Sequence, residues 1–285
     1  MTKITNIAAA QSDFCQKLTY MEIIAYLAAA LIGISLGLIG GGGSILTMPV
    51  LVYLFGVNPL LATSYSLFIV GTTSLAGTIG NFRRGLVNIK TALLFGSASI
   101  STVFLTRKFI IPNIPKTIFS IGGFELSENM LMMILFALLM VAAAIAMIKG
   151  ARELPGSVVE KRKPHMGKLF CYGLAIGLTT GFLGAGGGFL LIPTLVVLVG
   201  LPMKEAVGTS LFIIALNSVI GFTGDLGHFS IDWVFLAKIT AVAITGIMAG
   251  GVINRKIDGG KLKKGFGWFV LVMGCYIILK EIAFN

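Results

Sequence analysis

The sequence predicts an all-α, polytopic membrane protein made of two inverted-topology repeats, and three observations carry that prediction. Only 12% of the 285 residues are charged, 56% are hydrophobic, and the mean hydropathy is +0.96. A soluble domain keeps about a quarter of its residues charged to cover its surface. Apolar runs near the ~20 residues that cross a bilayer as helix recur through the whole chain. Finally, the chain aligns with itself, without a gap, at an offset of 144 residues over 33–89 and 177–233.

Taken in order, the apolar segments are expected at 20–39, 45–56, 61–81, 88–106 and 129–148, then at 168–184, 189–200, 204–224, 232–253 and 265–283. Eight are about full length. The segments 45–56 and 189–200 have about 12 residues and reach only about 18 Å as helix, so they read as broken or re-entrant pieces. Each follows a glycine cluster and ends at Gly and Pro, in Gly56-Val57-Asn58-Pro59 and Gly200-Leu201-Pro202. Residues 1–19 form a mixed tail, with Lys3, Asp13 and Lys17, and do not read as a cleavable signal. The first repeat covers 20–148, a basic linker 149–167, and the second repeat 168–285.

About eighteen aligned positions are identical between the repeats, among them Gly37/Gly181, Gly40/Gly184, Pro49/Pro193, Gly56/Gly200, Gly77/Gly221 and Gly80/Gly224. Shared hydrophobicity matches leucines by chance, but not this many ungapped glycines and prolines. The charge balance then orients the halves. Of the net +11, much lies in loops that the positive-inside rule assigns to the cytoplasm. These are the linker with Lys161, Arg162 and Lys163, the loop at Arg83 and Arg84, and the stretch from Arg255 to Lys264; Lys204 falls on the same side. The matching loops Arg83–Asn88 and Gly227–Asp232 fall on opposite faces, which makes the repeat inverted. The same excess in a soluble chain would point to nucleic acid, which is not expected here. Cys15, Cys171 and Cys275 show no paired or metal-ligand spacing and read as reduced, apolar, structural residues.

Two constellations hold candidate chemistry. Gly40-Gly41-Gly42-Gly43-Ser44 and Gly184-Ala185-Gly186-Gly187-Gly188 are glycine-rich, but no Gly-Lys-Ser/Thr follows and no acidic residue sits where a ribose would need it. They read instead as helix breaks at membrane depth, after which helix N-termini offer free N–H groups to an anion. Close packing of small residues is the competing explanation. Beyond the breaks, hydroxyls and amides share helix faces, so the expected anion-binding set is Gly42, Gly43, Ser44, Thr63, Ser64 and Ser66, with Gly186, Gly187, Gly188, Thr209, Ser210 and Asn217. Asp225 and His228, near one membrane end, are the candidate proton relay. Lys238, about two turns into its helix, is expected to snorkel. No catalytic residue, metal site or cofactor is expected.

These residues resemble the TauE/SafE family of sulfite-exporter permeases. Gly40–Ser44 with Pro49 and Ala62-Thr63-Ser64 carry the resemblance, as do Gly184–Gly188 with Pro193 and Gly208-Thr209-Ser210. The first copy reads Thr-Ser-Tyr-Ser where the second reads Gly-Thr-Ser, so the two sites need not be equivalent. The resemblance implies a secondary transporter in the bacterial cytoplasmic membrane. Its substrate would be a small anion such as sulfite, sulfoacetate or another organosulfonate, exported with proton coupling. Partners are then the substrate, lipid and protons, in a monomer or homodimer. An anion channel and a membrane-embedded enzyme are the alternatives.

Overall fold

A computed structural model describes residues 24, 26–114, 117–121, 124–149, 166–184, 186–254 and 259–283. The tail over 1–19, the linker residues 150–165, and the basic residues Arg255 and Lys256 lie outside the described residues. The chain is all-α and polytopic. Its helices are α1 (Tyr26–Ile39), α2 (Ser44–Leu54), α3 (Pro59–Phe82), α4 (Ile89–Leu105) and α5 (Glu128–Lys149). They continue as α6 (Met166–Leu183), α7 (Gly188–Val199), α8 (Met203–Asp225), α9 (Trp233–Ile253) and α10 (Gly259–Ala283). Among the described residues, five helical stretches are long and apolar enough to cross a bilayer.

Helix ends follow local chemistry. Asn58 accepts from the Leu60 N–H at 3.0 Å ahead of Pro59, whose missing N–H costs nothing in the first turn. Asn88 caps α4 through the Thr91 N–H at 3.1 Å, and Asp232, its counterpart 144 residues on, caps α9 through the Phe235 N–H at 3.0 Å. Gly187 and Gly200 bracket α7 in the left-handed region, at φ +66° and +71°, where a side chain would be strained.

Helices α3 and α8, which correspond under the repeat, lie side by side and run antiparallel. Ser64 near the start of α3 bonds Asp225 at the end of α8, while Asn81 near the end of α3 lies against Gly208 near the start of α8. Elements that match in sequence but oppose in direction are what an inverted duplication requires. Around this pair the halves interlock through glycines. Gly33 and Gly37 of α1 sit on the backbone of Ala243 and Gly250 in α9; Gly177 and Gly181 of α6 sit on Ser99 and Thr106 of the α4 strut. Each contact maps onto another when both partners are moved by 144 residues. With no Cβ between them, the backbones close to a distance that larger residues forbid. Outside this core, α5 and α10 pack together through Met133, Phe136 and Met140 against Val270 and Ile277.

Polarity is inverted relative to a soluble protein. Ser64, Ser66, Thr73, Ser74, Asn217 and Ser218 are fully buried, whereas Leu31, Leu93, Val234, Met248, Val272 and Leu279 stand on the outer surface, each more than 60% exposed. Apolar patches of that extent suit hydrocarbon, not water. Lys238 is exposed early in α9, where it can reach an interface. Cys171 and Cys275 are free and exposed rather than packed inside.

Two features differ from the sequence-based expectation. Helix α4 does not stop near 106 but continues through a wide turn at Thr106–Ile110 to Asn113, which draws Arg107 into the span. Beyond it, β1 (Thr117–Ile121) pairs antiparallel with β2 (Phe124–Ser127), with Ser120 opposite Glu125. Alternating Ile and Phe around Gly122-Gly123 is a hairpin pattern that helical periodicity overlooks.

A methyl group at Gly37 would overlap the Ile247 carbonyl, whereas one at Gly265 meets nothing within 4 Å. We therefore expect Gly37→Ala to destabilise the fold by about 1–3 kcal/mol and Gly265→Ala to be neutral or slightly stabilising. Thermal unfolding in detergent checks this; equal melting temperatures for the two variants would contradict the interlock.

Candidate functional site

The two glycine breaks meet at the centre of the molecule. Gly40 and Gly184, counterparts in the repeat, both take positive φ, at +67° and +65°. Gly184 abuts Thr63 and Gly40 abuts Val207, a pair of contacts again related by the 144-residue offset. Between them Gly41 and Gly188 touch backbone to backbone, with Ile214 against both. The breaks are alike in position and unlike in detail. Gly188 opens a regular helix behind Gly187, while Gly40–Leu46, which includes Gly42 and Gly43, winds as tight 3-10 turns. There the Ser44 hydroxyl donates to the Gly41 carbonyl at 2.7 Å.

The expected polar residues divide into three groups. Thr209 is occupied by structure: its hydroxyl accepts the Asn88 N–H at 2.9 Å, and its counterpart Tyr65 accepts the Asp232 N–H at the same distance. Ser210 donates to the Val207 carbonyl at 2.9 Å. A second group is buried with spare hydrogen-bonding capacity. Asn217 donates to Ser99 at 2.7 Å but leaves its Oδ1 unpaired, and the hydroxyls of Ser66, Thr73 and Ser218 have no partner among the described residues. Gly186 lies against Ser218, and Gly187 against Thr180. Buried polar atoms are nearly always satisfied, so unpaired ones such as these stand out.

Thr63 and Ser64 form the third group, around a residue the sequence reading passed over. Arg107 is fully buried. Its Nη1 donates to Asp225 Oδ2 at 3.0 Å and to Thr63 Oγ1 at 2.8 Å; the Thr63 hydroxyl in turn donates to the Leu60 carbonyl at 2.7 Å. The Ser64 hydroxyl bonds the same carboxylate oxygen. His228 is exposed a turn beyond Asp225, within electrostatic reach of it. The counterpart of Arg107 is Gly251 and that of Asp225 is Asn81, so extending the self-alignment past residue 89 would have exposed the asymmetry.

Those counterparts line a cavity at the other end of the seam between the halves. A cavity of about 1000 Å³ is bounded there by Gly37, Asn81, Arg83, Arg84, Lys204 and Gly251. Three basic residues assigned to one membrane side by sequence thus gather at one mouth. The seam holds a cavity at the Asn81–Gly251 end and is filled by the buried Arg107–Asp225 pair at the other.

Comparison with known proteins agrees with this architecture. A "Probable membrane transporter protein" of Xylella fastidiosa (strain 9a5c) is 29% identical over 265 residues, covering 92% of this chain and 96% of its own. "Probable membrane transporter protein YunE" of Bacillus subtilis (strain 168) is 26% identical, covering 92% and 99%. No solved structure matches the chain. Residues 25–277, from α1 into α10 and so through both halves and the seam, match the family described as "Sulfite exporter TauE/SafE", and the chain belongs to that family of membrane transporters.

Proposed function

We propose that the protein exports a small sulfur-containing or organic anion, of the sulfite, sulfoacetate or organosulfonate class, across a bacterial cytoplasmic membrane by alternating access. The observation that carries this reading is the asymmetry of the seam: one end opens to a basic cavity, and its counterpart is closed by Arg107 and Asp225. A conducting channel has both ends open together. A pair of matched ends in opposite states is the geometry a carrier uses. In this reading the basic mouth faces the cytoplasm, since Arg83, Arg84 and Lys204 surround it. These charges draw anions to it.

In this reading the anion passes the glycine breaks at Gly42, Gly43 and Ser44 and at Gly186, Gly187 and Gly188. It exchanges water for the polar groups of Ser66, Ser210 and Asn217, with Thr209 holding the loop that shapes the entrance. Thr63 and Ser64 receive it at the far end. Asp225 and His228 take up the coupled proton: a neutral Asp225 no longer holds Arg107, so protonation from outside loosens the closed end. Among the described residues, Lys108 and Asp232 are further charged groups near that end. The family match and the relatives' names support transport; the substrate and the coupling are this proposal's own.

Two measurements test it. In a cysteine-free background, Asn81→Cys should react with an impermeant maleimide in inside-out vesicles and not in intact cells. Labelling of Asn81→Cys from both sides at equal rates would favour a channel. In proteoliposomes, uphill sulfoacetate export should respond to an imposed pH gradient, and Asp225→Asn should lose that response; an unchanged response in the variant removes Asp225 from the proton path.

A further inference from the structure

We infer that Arg107 is the charged ligand of the transported anion, a buried site for one small oxyanion that Asp225 occupies when the anion is absent. This rests on the transporter reading above and names the group that binds the substrate there.

The geometry of the guanidinium carries the inference. An arginine held only for structure commonly engages a carboxylate with two parallel bonds. Arg107 spends one nitrogen, Nη1, on both Asp225 Oδ2 and Thr63. Its Nε and Nη2 have no partner among the described residues, although the side chain is fully buried. Those two N–H groups point the same way and form the fork that receives a carboxylate or sulfonate edge-on. Asp225 likewise leaves Oδ1 unpaired. A buried pair so incompletely bonded is poor stabilisation, because desolvation of both ions offsets their attraction.

The repeat adds a second, independent argument. If the pair were packing inherited by both halves, its counterpart would hold a similar pair. It holds Gly251 and Asn81, and the space there is open cavity. The charge was therefore placed at one end of an otherwise symmetric path. Near it Val103 and Leu67 press on Gly221, as Ile247 and Leu211 press on Gly77 at the open end. The same seam can thus part at the Arg107 end while the Gly77 end closes. When it parts, Arg107 separates from Asp225 and exchanges one oxyanion for another.

Among the described residues, the charged groups facing the site are few. Asp225 comes from α8, and His228 follows it in the next loop. Lys108, next to Arg107, is directed to the rings of Phe104 and Phe109 instead. With Asp225 the only carboxylate bonded to Arg107 among the described residues, removing its charge should leave the arginine free to bind anions from solution.

The experiment measures binding of sulfite, sulfoacetate and acetate to the purified full-length protein by calorimetry, alongside counterflow in proteoliposomes. Asp225→Asn should tighten binding of at least one of the three by about tenfold. Arg107→Lys keeps the charge but loses the fork, and should weaken it by about tenfold. The double variant Arg107→Gln/Asp225→Asn buries no charge, so it should fold and show no saturable binding. If the wild type shows counterflow while the folded double variant binds as the wild type does, the Arg107 site is overturned and the transporter reading stands. A wild type without counterflow of any of the three anions overturns the transporter reading, and the site with it.

Discussion

Everything in this fold depends on the close approach of two backbones at Gly41 and Gly188. Inside a bilayer there is no water to satisfy a broken helix, so irregular backbone survives only where protein surrounds it. Here each break is sheltered by the other half. Gly40 lies on Val207 and Gly184 on Thr63, while Gly186 and Gly187 also rest on Ser218 and Thr180 of their own half. The glycines of α1 and α6 extend the same principle outward, fastening each half to a helix of its partner.

That mutual burial also explains why the molecule can hold two states. A seam lined by small residues and hydroxyls has little side-chain interdigitation to undo when it slides or rocks. The closed end is held by Arg107, Asp225, Thr63 and Ser64; at the open end, among the described residues, the Asn254 amide donates to the Gly37 carbonyl and no ion pair forms. A charged latch at one end and neutral Asn81 and Gly251 at the other let a proton or an anion bias the balance. Ligands shift such an equilibrium only through a difference in affinity between the states, and a site made by opening Arg107 supplies that difference.

Much of this was legible in residues alone. Most of the ten segments fall within a few residues of their expected places among the described residues, because long apolar runs bounded by Asn, Asp, Gly and Pro leave few alternatives. The duplication was visible in glycines and prolines whose spacing hydrophobicity cannot imitate. What escaped notice has physical causes. Arg107 follows an apolar run and looks like an interfacial charge until the wide turn after Leu105 carries the helix on to Asn113. A hydroxyl on a buried face such as that of Thr209 looks the same in sequence whether or not it also accepts a backbone N–H, as Thr209 does from Asn88. That the breaks would touch each other was also beyond reach, since sequence spacing does not report distance between halves.

The central claim is that the two ends of the seam open reciprocally. Pulsed electron spin resonance between labels at Ile110 and Leu226 reports the closed end, and between labels at Arg84 and Val252 the open one. Adding sulfoacetate at low external pH should lengthen the first distance and shorten the second. Distances that both stay fixed, or that lengthen together, would contradict the account.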